Sequence, residues 1–304
     1  MIAIRKTIAG LVVFVLAAAP ALAQLHQFKP GFNLFSKEQD IQIGKEGAAE
    51  IEKQVEIVTN PVVADYVRRI GRVLAAQPQA DNYPYTFKVV NDPSINAFAL
   101  PGGPTYVQTG LLAAVDNEAQ LAGVMAHEIS HVALRHGTNQ ASKAAWVQLP
   151  ALLASRTLGS GTLLRQLGQV GVTLGTNSVL LKFSRTAETQ ADVLGAQIAA
   201  QAGYDPREIA RFFEKLEGAQ GSRSSRVAQF LSDHPNPGNR MKAIEEEIRY
   251  MPQRDYNADT GMLPRVKAIV AALPQPKKVA GQAGQGALPA SGRRPARRSP
   301  AQAR

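Results

Sequence analysis

The sequence predicts an α+β fold, mostly helical, with a small sheet of about three strands. Three observations carry this. Tyr85, Phe87 and Val89 alternate with polar or less apolar partners, and two further short extended stretches flank a Pro101-Gly102-Gly103-Pro104 turn. Elsewhere apolar residues recur at helical spacing between N-terminal caps and glycine or proline stops. The 304 residues are 45% hydrophobic and 19% charged, a balance that excludes a wholly disordered chain.

Residues 1–23 read as a secretory signal peptide. Arg5 and Lys6 form its charged start, and Ile8 to Ala19 form an apolar stretch shorter than the roughly 20 residues that span a bilayer. Ala21-Leu22-Ala23 supplies the small-x-small pattern, so cleavage is expected after Ala23 and the periplasm is the expected compartment. Ser36 with Gln39 makes a capping box for a helix of about twenty residues. Asn60-Pro61 opens another, with Val63, Val67, Ile70, Val73 and Leu74 on one face to about Ala76. Strands are expected at Tyr85 to Val89, Ile95 to Leu100 and Thr105 to Thr109. The next helix starts from a cap at Asp116 or Asn117 and runs from Glu118 to His136, with Gly137 as its left-handed C-terminal cap.

Residues 138–183 are apolar but broken by glycines and Pro150, and interrupted by Arg156 and Arg165. Two core helices joined by a loop is the plain reading, and an apolar flap over a cleft the sharper one. Further helices are expected from Ser184 to Ala202 with a stop at Gly203, from Asp205-Pro206 to Gly218, and within 236–250. From 274 to 304 the chain holds five prolines, four glycines and no acid, and reads as a disordered basic tail. One domain, 24–273, is left between leader and tail.

The net charge of +10 sits at the two ends, because residues 24–273 carry 25 bases against 24 acids. A body so balanced lacks the basic face that nucleic acid requires, and no nucleic-acid partner is expected. The tail could touch an anionic envelope surface weakly, although a solvated extension is the plainer reading. Without cysteine, disulfide scaffolds, thiolate metal sites and cysteine nucleophiles are excluded.

The chemistry concentrates in His127-Glu128-Ile129-Ser130-His131. Two imidazoles at i and i+4 on a helix project from one face and can close on a single zinc ion. Glu128 lies about 100° round the helix, where it can take a proton from zinc-bound water. Catalytic zinc needs a third ligand. Glu188 is the best candidate, since Glu188 and Asp192 repeat the i, i+4 spacing, with Asp192 placed to accept the other ring N–H of His127. An ordinary exposed acid pair is the competing reading of that spacing. Gly195 and Ala199 continue the same face with small side chains, which lets the two helices approach closely. His136, some 140° from His131 on a continuous helix, reads as a partner for the C-terminal dipole. His26 has no assigned role.

These motifs, with Arg135-His136-Gly137 and Ser184-Arg185-Thr186-Ala187-Glu188-Thr189-Gln190-Ala191-Asp192, resemble the gluzincin zinc peptidases of metallopeptidase family forty-eight. That group holds HtpX-, BepA- and LoiP-like peptidases and is related to the CAAX prenyl peptidases. The resemblance extends to Asn96-Ala97-Phe98-Ala99-Leu100-Pro101-Gly102-Gly103 and to His234-Pro235 with Arg240, and so covers roughly 36 to 250. It implies a zincin fold with the small sheet beside the active-site helix. It also implies one zinc ion per chain on His127, His131 and Glu188, with Glu128 as catalytic base. By the same resemblance, Asn96, Ala97, Phe98 and Ala99 form a strand that pairs with extended substrate. His234 then acts as a fourth ligand in a latent state or as a donor to the oxyanion. The implied activity is endopeptidase action on misfolded or unassembled envelope polypeptides. The rival is a latent chaperone or assembly factor that holds extended polypeptide without turnover. Oligomeric state and cleavage preference are not legible.

Overall fold

A computed structural model describes residues 25–154, 183–218, 234 and 240–276 of the chain. The expected signal peptide, nearly all of the basic tail and positions 155–182 of the apolar segment lie outside the described residues. The architecture is mostly helical with one three-stranded sheet, as the sequence predicts.

Helix α1 (Lys37–Gln54) starts from a complete capping box, in which Gln39 N donates to Ser36 Oγ (3.2 Å) and Ser36 N donates to Gln39 Oε1 (2.7 Å). Helix α2 (Pro61–Ala75) is capped by Asn60, whose Oδ1 accepts from Val62 N and Val63 N. Its apolar face, Val63, Val67, Ile70 and Leu74, is fully buried against the sheet and the central helix.

Strands β1 (Thr86–Val90), β2 (Ala97–Ala99) and β3 (Pro104–Gln108) form the sheet in the order β1-β3-β2. The central β3 runs parallel to β1 and antiparallel to β2, with Phe98 opposite Tyr106. Strand β2 is therefore an edge, beside the central helix. Thr109 does not end a strand, as expected, but opens the short helix α3 (Thr109–Ala114), which buries Leu111 and Leu112.

The central helix α4 (Glu118–Ala133) is capped by Asn117, whose side chain accepts from Gln120 N (2.9 Å), and it is buried on every side. Its first residue, Glu118, is fully buried and pairs with Arg69 of α2. Tyr204 OH (2.9 Å) and Thr260 Oγ1 (2.6 Å) also donate to it, which ties the start of α4 to three other parts of the chain.

The end of α4 corrects the sequence reading. The helix stops at Ala133 rather than His136, and Arg135, not Gly137, takes the left-handed conformation, with φ 57°. A new helix, α5 (His136–Ala154), begins at once and includes Gly137. A non-glycine residue in this region costs on the order of 1–3 kcal/mol and needs tertiary support. Arg135 has that support: its Nε donates to buried Asp40 Oδ2 (2.6 Å) and its Nη2 to Phe35 O (2.7 Å).

Helix α6 (Arg185–Gln201) is capped by Ser184 and followed by Gly203 at φ 90°, matching the predicted stop. Helices α7 (Arg207–Gly218) and α8 (Arg240–Ile248) pack on α4 and α6. Helix α9 (Leu263–Ala271) packs on α2 and α3, and no sequence signal singled it out. His26, which has no role assigned from the sequence, is tied down. Its backbone N donates to buried Glu247 Oε1 (3.0 Å), its ring contacts the same carboxylate, and Gln197 Nε2 donates to its carbonyl (2.8 Å). No helix among the described residues is long and apolar enough to cross a membrane.

Candidate metal centre

Helix α4 presents His127 and His131 from one face, one turn apart, with their Nε2 atoms 3.0 Å from each other. Helix α6 brings Glu188 from its first turn. Glu188 Oε2 lies 3.4 Å from His127 Nε2, and Oε1 lies 3.6 Å from His131 Nε2. The pair Glu188 and Asp192 is fully buried, which removes the reading of an exposed acid pair. The approach of α6 to α4 depends on Gly195: a Cβ there would come within 3.0 Å of His127 N and 3.1 Å of its Cα.

His234 completes the cluster. Its Nδ1 lies 3.3 Å from both His127 Nε2 and Glu188 Oε2, and its Nε2 lies 3.4 Å from Glu128 Oε1. One ligand atom from each of His127, His131, Glu188 and His234 falls within 4.8 Å of all the others. Burial works to raise the Glu188 carboxyl, but His234 and His127 hold it well below the usual carboxylate range.

Outside this cluster, each α4 histidine has its second ring nitrogen engaged. His127 Nδ1 lies 2.9 Å from Asp192 Oδ1. Asp192 in turn accepts two hydrogen bonds from Arg240 of α8, at 2.6 Å each, and the guanidinium sits 4.0 Å from the Phe213 ring centroid. Burial opposes charge on His127, yet Asp192 and Glu188 raise its pKa to about 9. Burial works to raise Asp192 as well, and Arg240 holds it below the usual carboxylate range.

His131 Nδ1 lies 3.0 Å from His136 Nδ1, and its ring stacks on Phe183 with centroids 3.9 Å apart. This corrects the expected role of His136. The helix break at Arg135 returns His136 to His131, and it opens α5 rather than closing α4. Burial lowers its pKa to about 4, and the positive end of the α5 dipole also disfavours an imidazolium there.

Glu128 sits on the flank of the cluster, next to β2. The backbone of Ala99 hydrogen-bonds its carboxylate, while Glu128 Oε1 is sealed from solvent with no hydrogen bond. Burial raises the Glu128 pKa against the opposing pull of His234 and His127. Asn96, just before β2, and Ala97 are buried, whereas Phe98 and Ala99 are half-buried. A small pocket beside them is lined by Leu100, Pro101, His131, Val132 and Phe183.

The donor set suits zinc, which takes imidazole nitrogen and carboxylate oxygen. The arrangement also calls for a cation. The Nε2 atoms of His127 and His131 stand 3.0 Å apart, and Glu188 Oε1 is buried without a hydrogen-bond partner.

Known proteins share this stretch of sequence. The profile of Peptidase family M48 matches residues 61–248. A beta-barrel assembly-enhancing protease of Escherichia coli (strain K12) is 30% identical over 223 residues, 70% of this chain and 44% of its own length. The mitochondrial metalloendopeptidase OMA1 of Schizosaccharomyces pombe is 32% identical over 195 residues, 64% of this chain and 55% of its own. The mitochondrial metalloendopeptidase OMA1 of Bos taurus is 34% identical over 167 residues, 53% of this chain and 32% of its own. The chain thus spans about half the length, or less, of these relatives.

Proposed function

The chain belongs to peptidase family M48, and from that premise we propose that it is a zinc-dependent endopeptidase acting on misfolded or unassembled envelope proteins in the periplasm. The observation that supports the activity most directly is the juxtaposition of the buried His127, His131 and Glu188 with Glu128 on their flank.

His127, His131 and Glu188 would hold the ion. Zinc supplies Lewis-acid chemistry at the scissile carbonyl and makes water a nucleophile near neutral pH. Glu128 takes the proton from the attacking water and returns it to the leaving amine. The Ala99 N–H holds the carboxylate in place. Asp192, itself gripped by Arg240, keeps His127 in the tautomer that leaves Nε2 free to bind. The edge of β2 offers backbone donors and acceptors to an extended chain, which gives sequence-tolerant binding suited to unfolded substrates.

His234 favours a second reading of the same cleft. Its position within the four-donor cluster matches a fourth ligand, which would close the position that water needs and leave a latent protein that holds polypeptide without turnover. Turned toward the cleft, the same imidazole donates to the oxyanion.

Cell fractionation and substrate trapping test the cellular part of the proposal. The protein is expected in the periplasmic fraction, and Glu128→Gln protein should accumulate uncut exported polypeptides. Recovery of the protein from the cytoplasm, or trapping of cytosolic chains alone, would count against it.

A further inference from the structure

Two histidines on α4 face the same donor cluster, but their outer partners differ. His127 leans on a carboxylate, Asp192. His131 leans on a second imidazole: its Nδ1 and His136 Nδ1 are 3.0 Å apart, and His136 Nε2 is 3.2 Å from Gln190 Oε1 on α6. A carboxylate can only accept, so the tautomer at His127 follows from its partner alone. An imidazole pair is symmetric, and one of the two facing Nδ1 atoms must carry the proton. The direction of this relay decides whether His131 Nε2 presents a lone pair or a hydrogen to the cluster.

Gln190 stands at the end of the relay. With its Oε1 accepting from His136 Nε2–H, His136 Nδ1 is the acceptor and His131 Nδ1 the donor, the direction that a metal on His131 Nε2 requires. His131 Nε2 is then a bare lone pair facing His127 Nε2. Were the amide reversed, every proton in the relay would shift by one place and His131 Nε2–H would point into the cluster, where it cannot bind a metal. The geometry of the chain is set up for this contact. Arg135 breaks α4 in a left-handed conformation, stabilised by Asp40, so that His136 returns to His131 instead of lying on the far side of a continuous helix. Phe183 stacks on His131 and fixes its ring plane, which leaves the proton position as the variable that His136 controls.

We propose that His136 and Gln190 are positioning residues that polarise His131, so that its Nε2 lone pair, rather than an N–H, faces the metal. The proposal rests on reading the four-donor cluster as a zinc site. Neither residue touches substrate, and their effect is exerted through His131.

The test uses the full chain loaded with zinc, with affinity measured by competition against a chromophoric chelator. His136→Phe keeps an aromatic ring but no acceptor, and should weaken zinc binding by about 10- to 100-fold. His136→Asn places an amide oxygen where Nδ1 was and should restore most of that loss. Gln190→Glu, a pure acceptor, should bind zinc as the parent does, whereas Gln190→Leu should bind more weakly. Equal affinity in His136→Phe and the parent would overturn the proposal, as would equal losses in His136→Phe and His136→Asn. Should His136→Phe fail to fold, long-range ¹H–¹⁵N correlation of histidine-labelled parent protein decides. The Nε2–H tautomer at His136 supports the relay, and the Nδ1–H tautomer overturns it. A parent protein that takes up no zinc overturns the metal site itself, an outcome distinct from the failure of the relay alone.

Discussion

Gly195 of α6 lies so close to His127 of α4 that a Cβ at position 195 would stand 3.0 Å from the His127 backbone nitrogen. The two helices that carry the donors meet backbone to backbone at the level of the site. A side chain here would not fill a gap; it would separate Glu188 and Asp192 from the histidines they serve. Gly195→Val should therefore destabilise the fold by about 1–3 kcal/mol through overpacking. Zinc affinity should fall with it, and urea unfolding with a parallel zinc titration checks both. A variant that loses stability but keeps parental zinc affinity would show that the helix spacing does not govern the site.

Arg240 and Asp192 form a fully buried, two-pronged ion pair. Arg240→Leu strands the Asp192 carboxylate, and breaking such a pair costs about 3–5 kcal/mol. Arg240→Lys keeps the charge but not the fork, and is expected to recover only part of the loss. Chemical denaturation of both variants measures this. Parental stability in Arg240→Lys would mean that charge alone, not the paired geometry, matters at Asp192.

Glu188→Ala should release the metal, since it removes the one carboxylate among the four donors. Stoichiometric zinc in that variant, measured by elemental analysis, would remove Glu188 from the ligand set. Chelation of the parent protein should likewise abolish hydrolysis, with recovery on adding zinc.

Asn60 caps α2 far along the chain from the donors, and Asn60→Ala should cost about 1 kcal/mol of stability. Zinc affinity and catalytic rate in this variant should match the parent, which makes it a control for losses that act through folding alone.

Much of this was legible in the residues. Ser36 with Gln39, Asn60-Pro61 and the stop at Gly203 are local signals, and the helix ends they predict are present. The histidine pair and the acid pair were legible for the same reason, because i, i+4 spacing is a property of a single helix. What escaped depends on distant contacts. Nothing near Arg135 in sequence favours a left-handed residue over Gly137; Asp40 and Phe35, about a hundred positions earlier, stabilise it. Misplacing that break misplaced His136. The sequence does not say which acid Arg240 pairs with, because Asp192 reaches it only through the packing of α8 on α6. Helix α9 has a short apolar face whose burial is decided by α2 and α3.

In the proposed mechanism, Glu128 moves the proton at a zinc centre held by its neighbours. Degradation of an unfolded, casein-like substrate by the protein, beside Glu128→Gln and with zinc content measured in both, tests it most directly. Cleavage by the parent, none by the variant and equal zinc in each is the expected result. Cleavage by Glu128→Gln at the parental rate, with zinc still bound, would contradict it.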